Sequence, residues 1–383
     1  MKKKVKILMT AFLITILIFP QSSFAAGRFD TPAKSAILTE FSTGTVLFEK
    51  DSDMALPPAS ITKLMTLLLC YEAVENGSAN WDDQVYVSEK AWKAEGTRMF
   101  LEVGSKAPFR DIIKGISVQS ANDGCIAVAE HISGSEESFA KLMNRRAAEL
   151  GMTASTFKNS SGLPAEGHRM SARDIATLAR YLITSYPEIL EIESMTEYTY
   201  NNIVQYNRNP LLGEYDGADG LKTGWTNEAG YCIAGTAERD GMRLIAVVLN
   251  TKDDSERFDA TVKILDYGFN NYKIVNAIKK GNLISTIPVA KGKQLEVELR
   301  AVSDLDVVVA INRIDDIVLE PSFVTEKLTA PVTEGTVAGK VAVMLDDVIL
   351  AEEEIETIAD VEKAGFFELL FRSIKEFFRN LFN

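Results

Sequence analysis

The feature that most constrains this chain is the tetrapeptide Ser60-Ile61-Thr62-Lys63, which follows Pro57 and Pro58 at the start of a predicted helix. Proline is favoured at a helix entrance and cannot continue a helix, so the start of the helix is well defined. Residues at i and i+3 lie on one helix face, and the lysine amine can therefore reach the serine hydroxyl. The N–H groups at the helix start also favour negative charge beside the serine.

A serine in this position can act as a nucleophile without histidine. Lysine takes its proton if burial and neighbouring positive charge lower the pKa of the amine toward neutrality. The chain contains two histidines, His131 and His168. His131 lies in an apolar helical pattern, which predicts a packed or surface residue, and His168 lies in a polar loop, which predicts a solvated residue.

The serine–lysine spacing alone is a weak signal. Ser138-Phe139-Ala140-Lys141 and Ser155-Thr156-Phe157-Lys158 match it without the double-proline entrance. Two further clusters strengthen the case: Ser120-Ala121-Asn122 in a loop between predicted helices, and Lys222-Thr223-Gly224 before a predicted strand. Ser78-Ala79-Asn80 also fits the middle pattern, whereas Lys-Thr-Gly occurs once, and the three motifs in this order are hard to obtain by chance.

Other chemistries lack their motifs. The sequence has no Gly-x-Ser-x-Gly elbow, no His-Glu-x-x-His, no Gly-x-Gly-x-x-Gly and no phosphate loop, and we predict neither a metal nor an organic cofactor. Cys70, Cys125 and Cys232 are odd in number, far apart and set among apolar residues. They are predicted to be buried free thiols, with one disulfide as the alternative. The net charge of −13 disfavours nucleic acid as a partner.

The N-terminal segment predicts export. In residues 1–25, several lysines precede the apolar run Ile7–Phe19, and small residues flank Phe24, as in a secretory signal peptide. The apolar run is too short to cross about 30 Å of hydrocarbon comfortably. Cleavage after Ala25 or Ala26 is therefore favoured over an uncleaved membrane anchor.

The order of predicted elements indicates a catalytic domain over residues 26–283 and a small β-rich domain over 284–360. The first part opens with a hairpin at Ala36–Phe48 and closes with strand-like runs at Tyr231–Thr236 and Arg243–Leu249, with helical patterns between them. Strands at both ends predict an α+β fold in which the terminal segments pair in one antiparallel sheet. After about residue 284, alternating apolar and polar residues predict short strands.

The C-terminal segment, residues 361–383, predicts an amphipathic helix. From Phe366 to Phe382 the apolar residues, mostly phenylalanine, fall at helical spacing, and charged residues occupy the other face. Packing on the preceding domain or against a second copy would cover this face. At the end of an exported chain we favour peripheral attachment to a membrane surface instead. The sequence does not fix the oligomeric state.

The chain resembles the D-alanyl-D-alanine carboxypeptidases, which are low-molecular-mass penicillin-binding proteins of peptidase family S11. The order of the three motifs is an established signature of penicillin-binding proteins and class A β-lactamases, so this is a match and not a derivation. The segments that carry the resemblance, beyond Ser60–Lys63, are Ser120-Ala121-Asn122-Asp123, Ser171-Ala172-Arg173-Asp174, Asn207-Arg208-Asn209, Asp219-Gly220-Leu221-Lys222-Thr223-Gly224 and Glu228-Ala229-Gly230-Tyr231. The resemblance implies a penicillin-binding-protein-like α+β domain, a small all-β domain and an amphipathic tail at the outer face of the cytoplasmic membrane.

The resemblance also implies roles for individual residues and two kinds of ligand, peptidoglycan pentapeptides and β-lactams. Ser60 would form an acyl-ester with the penultimate D-alanine, Lys63 would act as general base, and Ser120 would hydrogen-bond the lysine and relay a proton. Among the implied substrate-binding residues, Asn122 would hold the substrate amide, and Lys222, Thr223 and Arg208 would receive the terminal carboxylate. Gly224 and Trp225 would lie beside them. The backbone N–H groups of Ser60 and Trp225 would form the oxyanion hole.

The chain departs from the family pattern at Ala121, where glycine is frequent, and at Trp225, where other members carry histidine.

Two alternative functions share the motifs. A class A β-lactamase would need a Glu-x-x-Leu-Asn segment between Ser120 and Lys222, and none occurs. A penicillin-binding sensor or scaffold would keep the fold without turnover, but every expected catalytic residue is present.

Overall fold

The computed structural model describes residues 29–382, and the predicted signal peptide lies outside the described residues. The helices are α1 (Lys63–Glu75), α2 (Glu89–Trp92), α3 (Phe109–Val118), α4 (Asn122–Ser133), α5 (Glu136–Glu149), α6 (Ala172–Ser185), α7 (Ile189–Glu193), α8 (Asp254–Asn271) and α9 (Phe366–Phe382). Two short 3₁₀ segments occur at Ala59–Thr62 and Ile311–Asp316.

The strands of the first part are β1 (Ser35–Glu40), β2 (Val46–Lys50), β3 (Gln84–Tyr86), β4 (Lys106–Pro108), β5 (Glu197–Tyr200), β6 (Ile203–Tyr206), β7 (Ala218–Thr226), β8 (Gly230–Arg239) and β9 (Met242–Thr251). Those of the second part are β10 (Tyr272–Ile278), β11 (Leu283–Ala290), β12 (Glu296–Ala301), β13 (Leu305–Ala310), β14 (Ile317–Phe323), β15 (Leu328–Thr329), β16 (Val337–Leu345) and β17 (Val348–Thr357).

A five-stranded antiparallel sheet in the order β2-β1-β9-β8-β7 organises the first part. The N-terminal hairpin is joined to the late strands by the β1–β9 pairing, with Ile37 opposite Val247. The prediction of an α+β fold whose terminal segments share one sheet is therefore confirmed. Strand β7, which carries the Lys-Thr-Gly motif, forms one edge of this sheet.

Helices cover both faces of the sheet. On one face, Ile37, Ile245 and Val247 belong to a large apolar core that also contains residues of α1, α3, α4 and α6. On the other face, Leu38 and Leu244 lie against Gly268 of α8. Because side chains alternate along a strand, neighbouring residues of β1 and β9 serve the two cores in turn.

The sequence also sets where α6 and α8 begin. Ser171 accepts a hydrogen bond from the backbone N–H of Asp174 at 3.1 Å, and Asp253 accepts one from the N–H of Glu256 at 2.8 Å. These side chains satisfy N–H groups that have no partner in the first helical turn. The Asp253 cap fixes the first turn of α8, where Arg257 lies.

The second part is built from strands, as predicted. Strand β10 directly follows α8 and pairs with β13, placing Tyr272 opposite Ala310, and residue 284 lies within β11. The larger sheet has six strands in the order β14-β16-β17-β12-β11-β15. Its core is apolar and includes Leu299, Val341 and Ile355, each fully buried.

The tail forms the predicted helix, α9. Arg372 donates hydrogen bonds to the carbonyl oxygens of Gly292 and Lys293 at 2.8 and 3.0 Å, which hold the helix to the β-rich part. Its aromatic face is nevertheless open, since Phe366 and Phe371 are 74% and 71% exposed. Across residues 29–382, no helix has both the length and the apolar character needed to cross a bilayer.

Candidate active site

The predicted contact between the serine and the lysine is present. Lys63 Nζ lies 2.7 Å from Ser60 Oγ, and the amine also donates to the carbonyl oxygen of Ser161 at 2.7 Å. The local geometry differs in one respect from the prediction. Ser60 lies in the 3₁₀ segment Ala59–Thr62, and the α-helix begins only at Lys63.

The environment of Lys63 favours the neutral amine. The side chain is fully buried, and burial lowers its pKa to about 7; the positive charge of Lys222 lowers it too, while Cys125 and Asp123 act in the opposite sense. An amine with this pKa is unprotonated in a substantial fraction of molecules at neutral pH and can accept the Ser60 proton.

Two glycines allow backbone segments to approach Ser60 closely. A Cβ on Gly162, whose φ is +85°, would lie 1.8 Å from the carbonyl oxygen of Ala59. A Cβ on Gly224 would lie 2.9 Å from the backbone nitrogen of Ser60. Since no larger side chain fits in either place, both glycines are needed to keep the Ser161–Pro164 loop and strand β7 beside the serine.

Ser120 and Asn122 lie in the same cavity. Ser120 Oγ is buried and makes no hydrogen bond within the described chain, so its expected bond to Lys63 is not formed: the lysine amine is instead directed at Ser60 and Ser161. Asn122 Nδ2 donates to the Glu95 carbonyl at 2.6 Å, and Asn122 Oδ1 has no partner among residues 29–382. The amide oxygen therefore has an unused acceptor position in a residue that lines the cavity.

A cavity of about 930 Å³ joins these groups to the Lys-Thr-Gly strand; among its lining residues are Ser60, Ser120, Asn122, Arg208, Thr223, Gly224 and Trp225. Lys222 lies behind this surface and is 1% exposed. Burial lowers its pKa to about 8, and Glu193 raises it. The indole of Trp225 is 53% exposed at the rim and lies 5.9 Å from the ring of Tyr231.

The structure adds a residue that sequence reasoning missed. Arg257, in the first turn of α8, lines the same cavity as Arg208 although only 5% of its surface is exposed. Its guanidinium is paired with Asp254 and lies 5.7 Å from the Tyr231 ring. Its Nε has no hydrogen-bond partner in the described chain. Nothing in the spacing of the three motifs points to α8, and the burial that singles out Arg257 is visible only in the folded chain.

The structure shows the surroundings of both histidines and of the three cysteines. His168 is not solvated as predicted but buried: its Nε2 lies 2.9 Å from Thr62 Oγ1, and its Nδ1 accepts the N–H of Lys158 at 3.3 Å. Burial lowers its pKa to about 4. His131 is partly exposed and lies beside Asp83, which agrees with the surface position that was one of its two predicted environments. The cysteines are buried and free, so the disulfide alternative is wrong.

The chance copies of the motifs do not meet at this cavity. Ser138 is exposed on α5, and the Ser155 hydroxyl donates to Asp174 at 2.7 Å. Within residues 29–382, no cluster of histidine, cysteine or acidic side chains has the arrangement of a metal site.

Comparisons with known proteins agree with this geometry. The sequence profile of the D-alanyl-D-alanine carboxypeptidases, peptidase S11, matches residues 22–253, and that of the C-terminal domain of penicillin-binding protein 5 matches residues 272–363. D-alanyl-D-alanine carboxypeptidase DacF of Bacillus subtilis is 36% identical over 378 residues, which cover 94% of this chain and 95% of that protein. DacC of Escherichia coli is 36% identical over 363 residues, covering 92% of this chain and 91% of the relative.

Solved structures show the same likeness. Penicillin binding protein 5 from Haemophilus influenzae superposes with a TM-score of 0.78 at 31% identity. The match covers 88% of this chain and 99% of that structure.

Proposed function

The chain belongs to the D-alanyl-D-alanine carboxypeptidases of peptidase family S11, and we propose that it removes the terminal D-alanine of peptidoglycan stem pentapeptides through an acyl-enzyme on Ser60. The chain is thus a serine peptidase. The observation that carries the assignment of residues is the 2.7 Å contact between Lys63 Nζ and Ser60 Oγ in a fully buried environment.

In the acylation step, Ser60 Oγ attacks the carbonyl carbon of the penultimate D-alanine while its proton passes to the neutral amine of Lys63. The negative charge that develops on the carbonyl oxygen is held by the backbone N–H groups of Ser60 and Trp225. The close approach of Gly224 to Ser60 N supports this pairing of donors. A donor of this kind lowers the barrier by about 3 kcal/mol.

Collapse of the tetrahedral intermediate breaks the C–N bond, and the departing D-alanine nitrogen receives a proton. Ser120 relays that proton from the Lys63 ammonium, because its buried hydroxyl has no other hydrogen bond and lines the cavity. A small movement of the lysine amine from Ser161 toward Ser120 on substrate binding completes the relay. Water then hydrolyses the ester, with Lys63 again accepting a proton.

Recognition of the peptide uses fixed charges and one amide. Thr223 and Arg208 line the cavity and receive the terminal carboxylate, Lys222 adds its charge from just behind them, and Arg257 adds positive charge to the same cavity. Charge-assisted hydrogen bonds of this type orient a carboxylate as well as binding it. Asn122 Oδ1 accepts an N–H of the peptide backbone.

The same site accounts for acylation by penicillin. A β-lactam presents a strained amide beside a carboxylate, as the D-alanyl-D-alanine terminus does, and its opened ring stays attached and blocks the path of water. The β-lactamase and sensor alternatives have no supporting observation in the cavity.

The central experiment is a D-alanine release assay on a soluble pentapeptide with wild type and Ser60→Ala, combined with mass spectrometry after exposure to penicillin. Wild type should release D-alanine and carry one adduct on Ser60, and Ser60→Ala should do neither. Ser138→Ala, in the exposed copy of the tetrapeptide, is the matched control and should retain both activities. Release of D-alanine by Ser60→Ala would refute the assignment.

The cellular placement is a further part of the proposal. The N-terminal lysine-rich and apolar segment supports export, and the exposed phenylalanines of α9 support peripheral attachment to the outer face of the cytoplasmic membrane. Burying each such side chain contributes roughly 1.5–3 kcal/mol. Deleting residues 366–383 should release the protein from anionic lipid vesicles without changing kcat/KM on a soluble peptide. Continued sedimentation with the vesicles would exclude α9 as the anchor.

The division into domains follows the strand pairing. The catalytic domain ends with α8 at Asn271 and the β-rich domain starts at Tyr272, supported by the pairing of β10 with β13.

A further inference from the structure

Glu193, the last residue of α7, is a fully buried acid behind the active site. Neither of its carboxyl oxygens makes a hydrogen bond of normal geometry in the described part of the chain, although the Ser117 hydroxyl lies near enough to lower the pKa of the group. A carboxyl group without such bonds is costly to bury, so its retention needs an explanation. The catalytic steps above do not use it.

The position of Glu193 relates it to the Lys-Thr-Gly strand. Its stem packs against β7, since a Cβ on Gly220 would lie 3.5 Å from Glu193 Cβ. Lys222 follows two residues later on that strand and is 1% exposed. The two side chains form no direct ion pair, and their charges act on each other through the protein interior, where screening is weak.

Few other groups face this carboxyl. The Ser117 hydroxyl approaches from α3 and the Tyr71 hydroxyl from α1. Neither carries charge near neutral pH, and Ser117 Oγ is itself buried without a hydrogen-bond partner among residues 29–382. Lys222 is therefore the charged group that Glu193 faces. Lys222 in turn faces Glu193, Cys125, Arg208 and Arg257.

We propose that Glu193 is a positioning residue for the carboxypeptidase reaction, whose carboxylate keeps the Lys222 side chain cationic and directed at the terminal carboxylate of the peptide. The inference rests on the proposed function and adds a buried counter-charge to it. Arg257 and Arg208 repel a charge on Lys222, and burial disfavours it, so a compensating anion is required. The charge on Lys222 also lowers the pKa of Lys63.

The pKa values fix where the effect should be seen. Burial raises the pKa of Glu193 to about 7, so its carboxylate is present mainly above neutrality. Burial lowers the pKa of Lys222 to about 8, and the Glu193 carboxylate holds it from falling further. Removing the acid should therefore make Lys222 lose its proton at lower pH, while below pH 6 little should change because Glu193 is already neutral there.

The test compares Glu193→Gln with Glu191→Gln, the same substitution at an exposed position of the same helix. D-alanine release from a soluble peptide is followed from pH 5.5 to 9. For Glu193→Gln, KM should rise about 3- to 10-fold at pH 8 and change less than twofold at pH 6. The alkaline limb of the kcat/KM profile should shift to lower pH by about one unit. Glu191→Gln should match wild type throughout.

Two further variants separate loss of the Glu193 charge from loss of folding. Glu193→Asp retains the charge and should restore part of the alkaline limb. Glu193→Leu removes the charge with an apolar side chain, which a buried site accepts readily, and should reproduce the shift of Glu193→Gln even if that variant folds poorly. An unshifted alkaline limb in a folded neutral variant, or an equal rise in KM at pH 6 and pH 8, would overturn the inference. Failure of wild type to release D-alanine would instead refute the proposed function.

Discussion

The catalytic region and the β-rich region bury polar groups in different ways. In residues 29–382, all buried side-chain nitrogen and oxygen atoms without a hydrogen bond lie between Ser35 and Arg257, and those of Ser120, Asn122 and Arg257 belong to residues that line the active-site cavity. The β-rich region buries one polar residue, Thr357, among the residues described, and its hydroxyl donates to Thr333 at 2.8 Å.

This difference shows where the fold gives up stability for chemistry. Two polar atoms beside the cavity, Ser120 Oγ and Asn122 Oδ1, are kept dehydrated and without internal partners, which costs free energy of folding. The β-rich region has no such task, and its charges form surface pairs such as Lys340–Glu352, each contributing at most about 1 kcal/mol. Substitutions in the two regions should therefore separate activity from stability.

The largest effect is expected for Lys63→Met. Loss of the base should lower kcat/KM by roughly 1,000-fold or more, whereas replacing a buried amine by an apolar side chain should raise the free energy of unfolding by about 1–3 kcal/mol. Peptide kinetics and urea unfolding measure the two effects. Lys340→Met, at a surface ion pair, is the control and should change neither appreciably. A destabilised Lys63→Met would contradict the contrast between the regions.

Two glycines with positive φ offer a matched pair. In Gly162→Ala, the new Cβ would meet the Ala59 carbonyl at 1.8 Å, so the loop must move away from Ser60 and kcat/KM should fall roughly 100-fold. In Gly335→Ala, the nearest atom is a flexible Glu356 oxygen at 3.7 Å, and only about 1 kcal/mol of backbone strain is expected. Penicillin acylation rates and thermal unfolding distinguish them. Equal penicillin acylation rates in Gly162→Ala and Gly335→Ala would show that the close approach of the Gly162 loop to Ser60 is not needed.

A cavity in the β-rich core should affect stability alone. Leu299 is fully buried, and Leu299→Ala should lower the free energy of unfolding of that region by about 2–5 kcal/mol. On a soluble peptide at about 20 °C, kcat/KM should stay within twofold of wild type. Leu283→Ala, at a side chain that is 60% exposed, provides the control. A large loss of activity on the soluble peptide would mean that the two regions are coupled.

A graded effect on activity is expected from pH. Because burial lowers the pKa of Lys63 to about 7, the base is protonated below that value, and kcat/KM should fall up to tenfold per unit of pH below 7. His168, whose pKa is lowered to about 4, should not contribute. His168→Gln should therefore keep the same acid limb. An acid limb near pH 4 in wild type would assign the base elsewhere.

The sequence anticipated the elements better than their contacts. Repeating patterns are local, so the helical patterns between the N-terminal hairpin and the late strands correspond to helices of the structure. His168 was misjudged because its polar neighbours are local, whereas its burial depends on Thr62, which is 106 positions away. Arg257 was missed for the same reason, since its place in the cavity follows from the packing of α8 on the sheet.

The sequence by itself determined the chemistry available to this protein. The serine–lysine spacing, the single Lys-Thr-Gly triplet and the alternation of strands and helices are properties of neighbouring residues, and these fix the reactive groups and the fold class. Tertiary structure alone decided how those groups behave. Burial sets the pKa values of Lys63 and Lys222. The carboxyl oxygens of Glu193 are buried without a hydrogen bond of normal geometry. The Lys63 amine donates to Ser161 and not to Ser120. Dehydration and electrostatic fields arise from segments that meet only in the folded chain, so no local pattern can encode them.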